Sequence, residues 1–334
     1  MFPVLGLQYT RVDAEFLDCV SDNLAVLLDF RQVADLRSPF ACEWHFEFRD
    51  SWTEAMPLLA RRSVEERIQA FTGRRVERTA LAPHSYREEL AACLARGEPA
   101  LLLGDAYYMP WLPYFGREHQ EHSFVIDGID PSGALLHIVD AYENQTEWGG
   151  VKPLATYVPA AALERIVWGL ANSNAGTLLT LSEPDVGWRE PDLGALLRGN
   201  AEAVAASAAA GMYRQFAEYC LARLDSEETA VQLVLACWFA TRARSLHRLW
   251  LSDLEAQRPE LLPSGFAAAF YSEVEAPWRK VSEFAYLMLR RVKLGKTPPA
   301  TSLALLAETV APAEARLADA LLAHLGQSRV QEVG

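Results

Sequence analysis

In EHQEHSFVIDGIDPSGALLHIVDAYEN, residues 118–144, two apolar runs flank Asp130-Pro131-Ser132-Gly133. Asp first, Pro second and Gly last suit a type I turn closed by a left-handed Gly, the three-residue hairpin loop with a bulge. That loop pairs Asp130 with Ala134, hence Asp127 with His137 and Phe124 with Asp140. Because side chains alternate along a strand, His122 then shares an apolar face with Phe124, Ile126, Leu136, Ile138 and Asp140. His122 and Asp140 become diagonal neighbours, with backbones roughly 7–8 Å apart. Asp127 and His137 face the other way and read as an exposed cross-strand ion pair, worth well under ~1 kcal/mol. A two-residue loop would shift the register by one and flip the faces. A histidine oriented by a carboxylate at the edge of a buried face suits a general base; a satisfied structural histidine is the other reading.

The nucleophile for such a base is Cys19. FLDCVSDNLAVLLDF, residues 16–30, carries Phe16, Val20, Leu24, Leu27 and Leu28 at helical spacing, with the cysteine near its start. The helix dipole and unpaired amides there favour a thiolate and can hold an oxyanion. Cys42, Cys93, Cys220 and Cys237 lack that placement, and the last three fall on apolar helical stripes as core residues. Burial is also the default reading of an isolated helical cysteine, so Cys19 gains weight only in combination. Five cysteines without a CxxC pair make no disulfide framework. His119 and His122 stand three apart rather than at HxxxH spacing, so no metal and no bound cofactor is expected.

Around this hairpin the first half mixes helices and strands. SVEERIQAFTG and SYREELAACLARG each open with Ser, carry Glu three residues on and stop at Gly, which predicts two capped helices. PALLLGD (99–105) and AGTLLTLSE (175–183) read as strands, and YVPAAALERIVWG as a short helix. A Pro-rich hinge at 184–194 divides this catalytic domain, 1–183, from a region at 195–334 with helical patterns throughout. That region is broken at Pro263, Pro298 and Pro299 and is expected to pack on the first domain. Residues 226–256 are apolar on more than one face, predicting a central buried helix.

The chain has 334 residues, 51% of them apolar, and a formal charge of −13. No basic domain stands out, which excludes nucleic acid as the expected partner. The longest apolar run, AVQLVLACWFA, is far too short for a membrane span. The opening MFPVLGLQYTRVDAEF lacks the features of a signal peptide, so a cytoplasmic protein is expected.

LDCVSDNLAVLLDF, PALLLGDAYYMPWLPYFGREHQEHSFVIDGID and HIVDAYEN together resemble the N-terminal domain of the butirosin biosynthesis protein H family, over roughly residues 10–182. The Asp-Ala-Tyr-Tyr-Met-Pro-Trp stretch leading into the histidine strand is the most specific part. The resemblance implies an α+β fold: a papain-like cysteine-enzyme domain with an antiparallel sheet, followed by an all-α C-terminal region. It implies an acyltransferase that moves an acyl or aminoacyl group to a small-molecule amine in natural-product biosynthesis. The donor would be an acyl or peptidyl carrier protein, the acyl group riding on its phosphopantetheine arm. Carried over by position, Cys19 is the nucleophile, His122 the base and Asp140 its orienting carboxylate. Asp105, Tyr107, Tyr108 and His119 are candidates for the substrate pocket, with packing and loop capping as their structural alternative. Papain-like enzymes place an oxyanion-hole Gln six residues before the Cys, where this chain has Asp13. A basic patch for an acidic carrier protein is sought in RRVKLGK (290–296) or in Arg242, Arg244 and Arg248. Two other readings stay open: a thioesterase, amidase or peptidase with the same triad, and a catalytically silent interaction protein.

Overall fold

The structure, a computed structural model, describes residues 4–49, 56–82, 85–130, 132–146, 148–169, 176–296 and 301–332. It divides into two compact units: Met1–Phe40 with Val64–Glu190, and Ala41–Ser63 with Pro191–Gly334. The chain therefore passes between the units three times. Residues 41–63, expected in the first domain, belong to the second unit, and the last crossing falls inside the Pro-rich stretch.

In the first unit, α1 (Cys19–Phe30) is followed by α2 (Ser38–Ala41), which ends the first pass, and α3 (Val64–Thr72). Then come β1 (Val76–Ala80), α4 (Tyr86–Ala95), β2 (Ala100–Asp105), β3 (Glu121–Ile129) and β4 (Leu135–Asp140). The short β5 (Asn144–Thr146) and β6 (Gly149–Val151) pair with each other. The unit closes with β7 (Leu154–Pro159), α5 (Leu163–Trp168) and β8 (Thr177–Leu181). Six strands form one antiparallel sheet in the order β1-β8-β2-β3-β4-β7. Residues 157–159, expected to open a helix, instead finish β7 against Leu135–His137, and the helix starts after Pro159. Pro159 lies at the sheet edge, where its missing N–H costs no ladder bond.

Phe124 and Ile126 of β3 and Leu136 and Ile138 of β4 face a core that includes Leu102, with Leu90 and Leu94 of α4 and Ile166 of α5. Gly104 of β2 lies opposite His122 and has no room for a side chain: a Cβ there would stand 2.6 Å from the Ile166 methyl. α1 packs on β2, β3, β4 and β8.

The hairpin differs from expectation in two places. Pro131 lies outside the described residues, but Asp130 N donates to Leu135 O at 3.0 Å, so the loop spans four residues, 131–134. Gly133 has φ 72°, the left-handed conformation expected of it. Asp127 is a bulge: Ile126 pairs with Ile138 and Gly128 with His137. Beyond the bulge Val125 pairs with Val139, which is the expected register. Asp127 is not exposed. It is fully buried, bonded to His137 Nδ1 and to the Leu7 amide.

The second unit is helical apart from the Glu47–Leu58 bridge: α6 (Leu193–Ala209), α7 (Met212–Leu221), α8 (Glu227–Gln257), α9 (Phe266–Phe270), α10 (Ala276–Lys293), α11 (Thr301–Leu305) and α12 (Ala311–Glu332). Pro298 and Pro299 lie outside the described residues. α8 is only partly enclosed: Ala236, Cys237 and Trp250 are buried, while Val231 and Leu235 are exposed. Arg244 does not join a surface stripe, because it is buried and bonded to Glu314 at 3.2 Å. Glu314 also accepts from the indoles of Trp44 and Trp278 and the Tyr213 hydroxyl, at 2.7–2.8 Å. These donors and the guanidinium hold its carboxyl below the usual range although burial alone would raise it.

The 41–63 segment is built into that core. Phe46 stacks on Tyr213 with centroids 4.1 Å apart, and Phe48 meets Phe216 edge-on at 5.3 Å. Each large apolar side chain of this kind contributes about 1.5–3 kcal/mol when buried. A fragment ending at residue 190 strands Trp44, Phe46 and Phe48 without their packing partners. Such a fragment should be insoluble on expression, and changing those three residues to Ser should restore soluble protein. A freely soluble unmodified fragment would show that the segment does not depend on the helices.

Candidate active site

Asp18 caps α1, its side chain accepting from the amides of Val20 at 3.0 Å and Ser21 at 2.9 Å. This cap starts the helix at Cys19, three residues later than the apolar pattern suggested, and sets the cysteine in the first turn. Cys19 is partly exposed; Cys42, Cys93, Cys220 and Cys237 are all buried. Burial pushes the Cys220 thiol up to about 12 and raises Cys93 and Cys237 as well, which suits inert core thiols.

Near the start of β3, His122 is buried, and at the end of β4 so is Asp140. His122 Nε2 meets Asp140 Oδ2 at 2.8 Å. The Cys19 side chain is the ring's other hydrogen-bonding partner. Asp140 is itself fixed. Trp111 Nε1 donates to Oδ2 at 2.9 Å, and the Tyr142 amide donates to Oδ1 at 3.1 Å. The Tyr142 ring stands edge-on to His122 at 5.2 Å. Cys19, His122 and Asp140, far apart in sequence, thus form one hydrogen-bonded row.

Burial opposes charge on His122, but the Asp140 carboxylate and the Cys19 side chain outweigh it and raise the imidazole to about 10. The buried phenol of Tyr114 is raised above its ordinary value by burial and is hydrogen-bonded to Gln120 and Asn144.

The other candidate residues make a separate cluster at the end of β2. Asp105, fully buried, meets His119 Nδ1 at 2.7 Å and accepts from the Tyr107 amide at 3.0 Å. His119 is half exposed and stacks on Tyr107, centroids 4.1 Å apart, with Tyr108 edge-on at 6.0 Å. The register sets Asp105 on the strand beside His122. Asp13 is bound to Arg37 at 2.8 Å and, as a carboxylate, has no donor for an oxyanion. Among the described residues no group of three His, Cys, Asp or Glu could hold a metal ion, and no helix is long and apolar enough to cross a membrane.

Sequence reasoning gave no role to Trp111, Tyr142, Ser123 or Asn23. Asn23 carries a faint signal, as a polar residue one turn beyond Cys19 in an apolar stretch. The others are legible only through contacts.

The raised His122 has a consequence for stability. A histidine lifted from 6.5 to about 10 on folding stabilises the fold fully below pH 6.5, and that contribution is lost as pH rises through 10. The melting temperature should therefore fall more steeply between pH 6.5 and 10 in the wild type than in His122→Gln. Parallel curves would mean that His122 is not charged in the fold.

No curated protein matches the chain. Residues 18–141 match the family model described as butirosin biosynthesis protein H, N-terminal. That span holds Cys19, His122, Asp140 and the Asp105–His119 cluster, so the segment bearing the whole candidate site is similar to the butirosin biosynthesis protein H family.

Proposed function

We propose that the protein is a cysteine-dependent acyltransferase, moving an acyl or aminoacyl group from a carrier-protein thioester to an amine during antibiotic biosynthesis. The family name points to that setting. One observation carries the chemistry: His122 is bonded to Asp140 on one side and on the other to Cys19, the partly exposed cysteine. A helix that presents the cysteine to an antiparallel sheet, with His and Asp following on successive strands, supports a papain-like reading of the fold.

The attacking form pairs a protonated His122 with the Cys19 thiolate, since the thiolate is the nucleophile in such chemistry. Sγ attacks the thioester carbonyl carbon; the bond to the phosphopantetheine sulfur breaks, and that sulfur takes the proton from His122. The acyl group now sits on Cys19 and the imidazole is neutral. An amine attacks the acyl carbon, gives its proton to His122, and Cys19 leaves as the thiolate. Thioester and amine become amide and thiol, and the resting pair is restored. The Cys19 amide, which Asp18 does not take, is a donor for the oxyanion of each step. Asp140 holds the ring and balances its charge.

An acidic carrier protein needs a local basic surface on this acidic chain. Arg290, Arg291, Lys293 and Lys296, exposed at the end of α10, support one there.

Incubation with an acyl-loaded carrier protein should produce an acyl adduct on Cys19, visible by intact-mass spectrometry and absent in Cys19→Ala. His122→Ala should slow acylation by roughly two to four orders of magnitude. Asp140→Asn should leave the fold intact while lowering the rate. An amine acceptor should discharge the adduct faster than water. Equal hydrolysis with every amine would make the protein a thioesterase, and an adduct that never forms would leave the silent interaction protein.

A further inference from the structure

Asn23 lies one helical turn beyond Cys19 and is fully buried. Its Nδ2 donates to Cys19 O at 3.0 Å, Ser123 O at 2.9 Å and Ser123 Oγ at 3.1 Å. Its Oδ1 accepts from the Ala141 amide at 3.2 Å. Ser123 Oγ in turn donates to Cys19 O at 2.6 Å. Ser123 directly follows His122, and Ala141 directly follows Asp140. One carboxamide is thus bonded to the backbone of Cys19 and to the residue next to each of the other two members of the row.

We propose that Asn23 is the positioning residue that sets Cys19 against His122, by joining α1, β3 and β4 in a single buried hydrogen-bonded node. The inference rests on the reading of Cys19 as nucleophile for its effect on rate, and on geometry alone for the node itself. Side-chain alternation explains why the node can do this. His122 points to one face of the sheet and Ser123 to the other, where α1 packs. α1 is therefore free to slide or tilt against the strands unless something on that second face reads their backbone. Apolar contacts on that face resist separation but fix no register, whereas the carboxamide demands particular donors and acceptors. Displacing a reacting group by about 1 Å can cost on the order of a hundredfold in rate.

The test needs no substrate. Asp140 and Cys19 are the partners that raise His122, so its ring titration reports whether Cys19 is in place. With ring-labelled histidine, NMR should give a His122 midpoint near 10 in the wild type. In Asn23→Ala it should be lower, because one of the two partners that raise it withdraws. Alkylation of Cys19 by iodoacetamide at neutral pH should slow by roughly 10- to 100-fold in the same variant. A folded Asn23→Ala with unchanged titration and alkylation would overturn the proposal. Should that variant not fold, Ser123→Ala removes only the hydroxyl from the node; several-fold slower alkylation supports the node, and an unchanged rate overturns it. Failure of the acyltransferase reading would appear separately, as a wild-type protein that forms no acyl adduct.

Discussion

The candidate site depends on one extra residue in one strand. Between the turn and Asp127, β3 and β4 are paired so that Gly128 meets His137 and Ile129 meets Leu136. Continued without interruption, that register would set Asp140 opposite Val125, on the face away from His122. The bulge at Asp127 absorbs the extra residue, and beyond it Val125 meets Val139. Only then do His122 and Asp140 share a face. A bulge leaves polar backbone unpaired, and here the freed carbonyl is recovered. Asp127 O accepts from the Leu5 amide at 3.0 Å, and its carboxylate takes the Leu7 amide and His137. Val4 lies against Gly128 so closely that a Cβ would stand 2.9 Å from its Cα. The N-terminal segment therefore completes the bulge, and the bulge aims the site.

This explains why the sequence led to the right face by a partly wrong route. Asp130-Pro131-Ser132-Gly133 suggested a three-residue loop, but the loop has four residues and the bulge restores the register. The two differences cancel at His122. Alternation of apolar residues was strong enough to identify both strands, and the apolar stripe from Phe16 to Leu28 identified the helix. Less local facts were not legible. Nothing in SPFACEWHFEFRD says that Trp44 and Phe46 belong with Glu314 and Tyr213, because contacts across more than a hundred residues leave no periodic trace. Asp127 read as solvated because a charged residue on an alternating strand usually is. Its burial follows from the N-terminal segment that covers it.

Three Asp–His pairs sit on this one sheet: Asp140–His122, Asp127–His137 and Asp105–His119. Their carboxylates are all buried, so burial and pairing do not by themselves distinguish a chemical site from a structural one. The third partner does. His137 stands edge-on to Tyr157, and His119 stacks on Tyr107; each ring meets an aromatic surface that has no proton to exchange through its face. His122 alone among the three has a thiol on its free side. In a low-dielectric setting the charge on its ring is held by Asp140, and Asp140 is held by Trp111 and the Tyr142 amide.

That chain of support has a direction. Trp111 and Tyr142 act on Asp140, Asp140 acts on His122, and His122 acts on Cys19, so errors of position accumulate toward the sulfur. A row built from one side alone would fix the carboxylate best and the cysteine worst. The cysteine, however, is also held from behind: Asp18 fixes where its helix begins, and Asn23 with Ser123 fixes its carbonyl against β3. Two independent supports thus meet at the Cys19–His122 contact. Rigidity on either side of that contact is what a reacting pair of side chains requires, because their own rotamers are locked only by the groups that surround them.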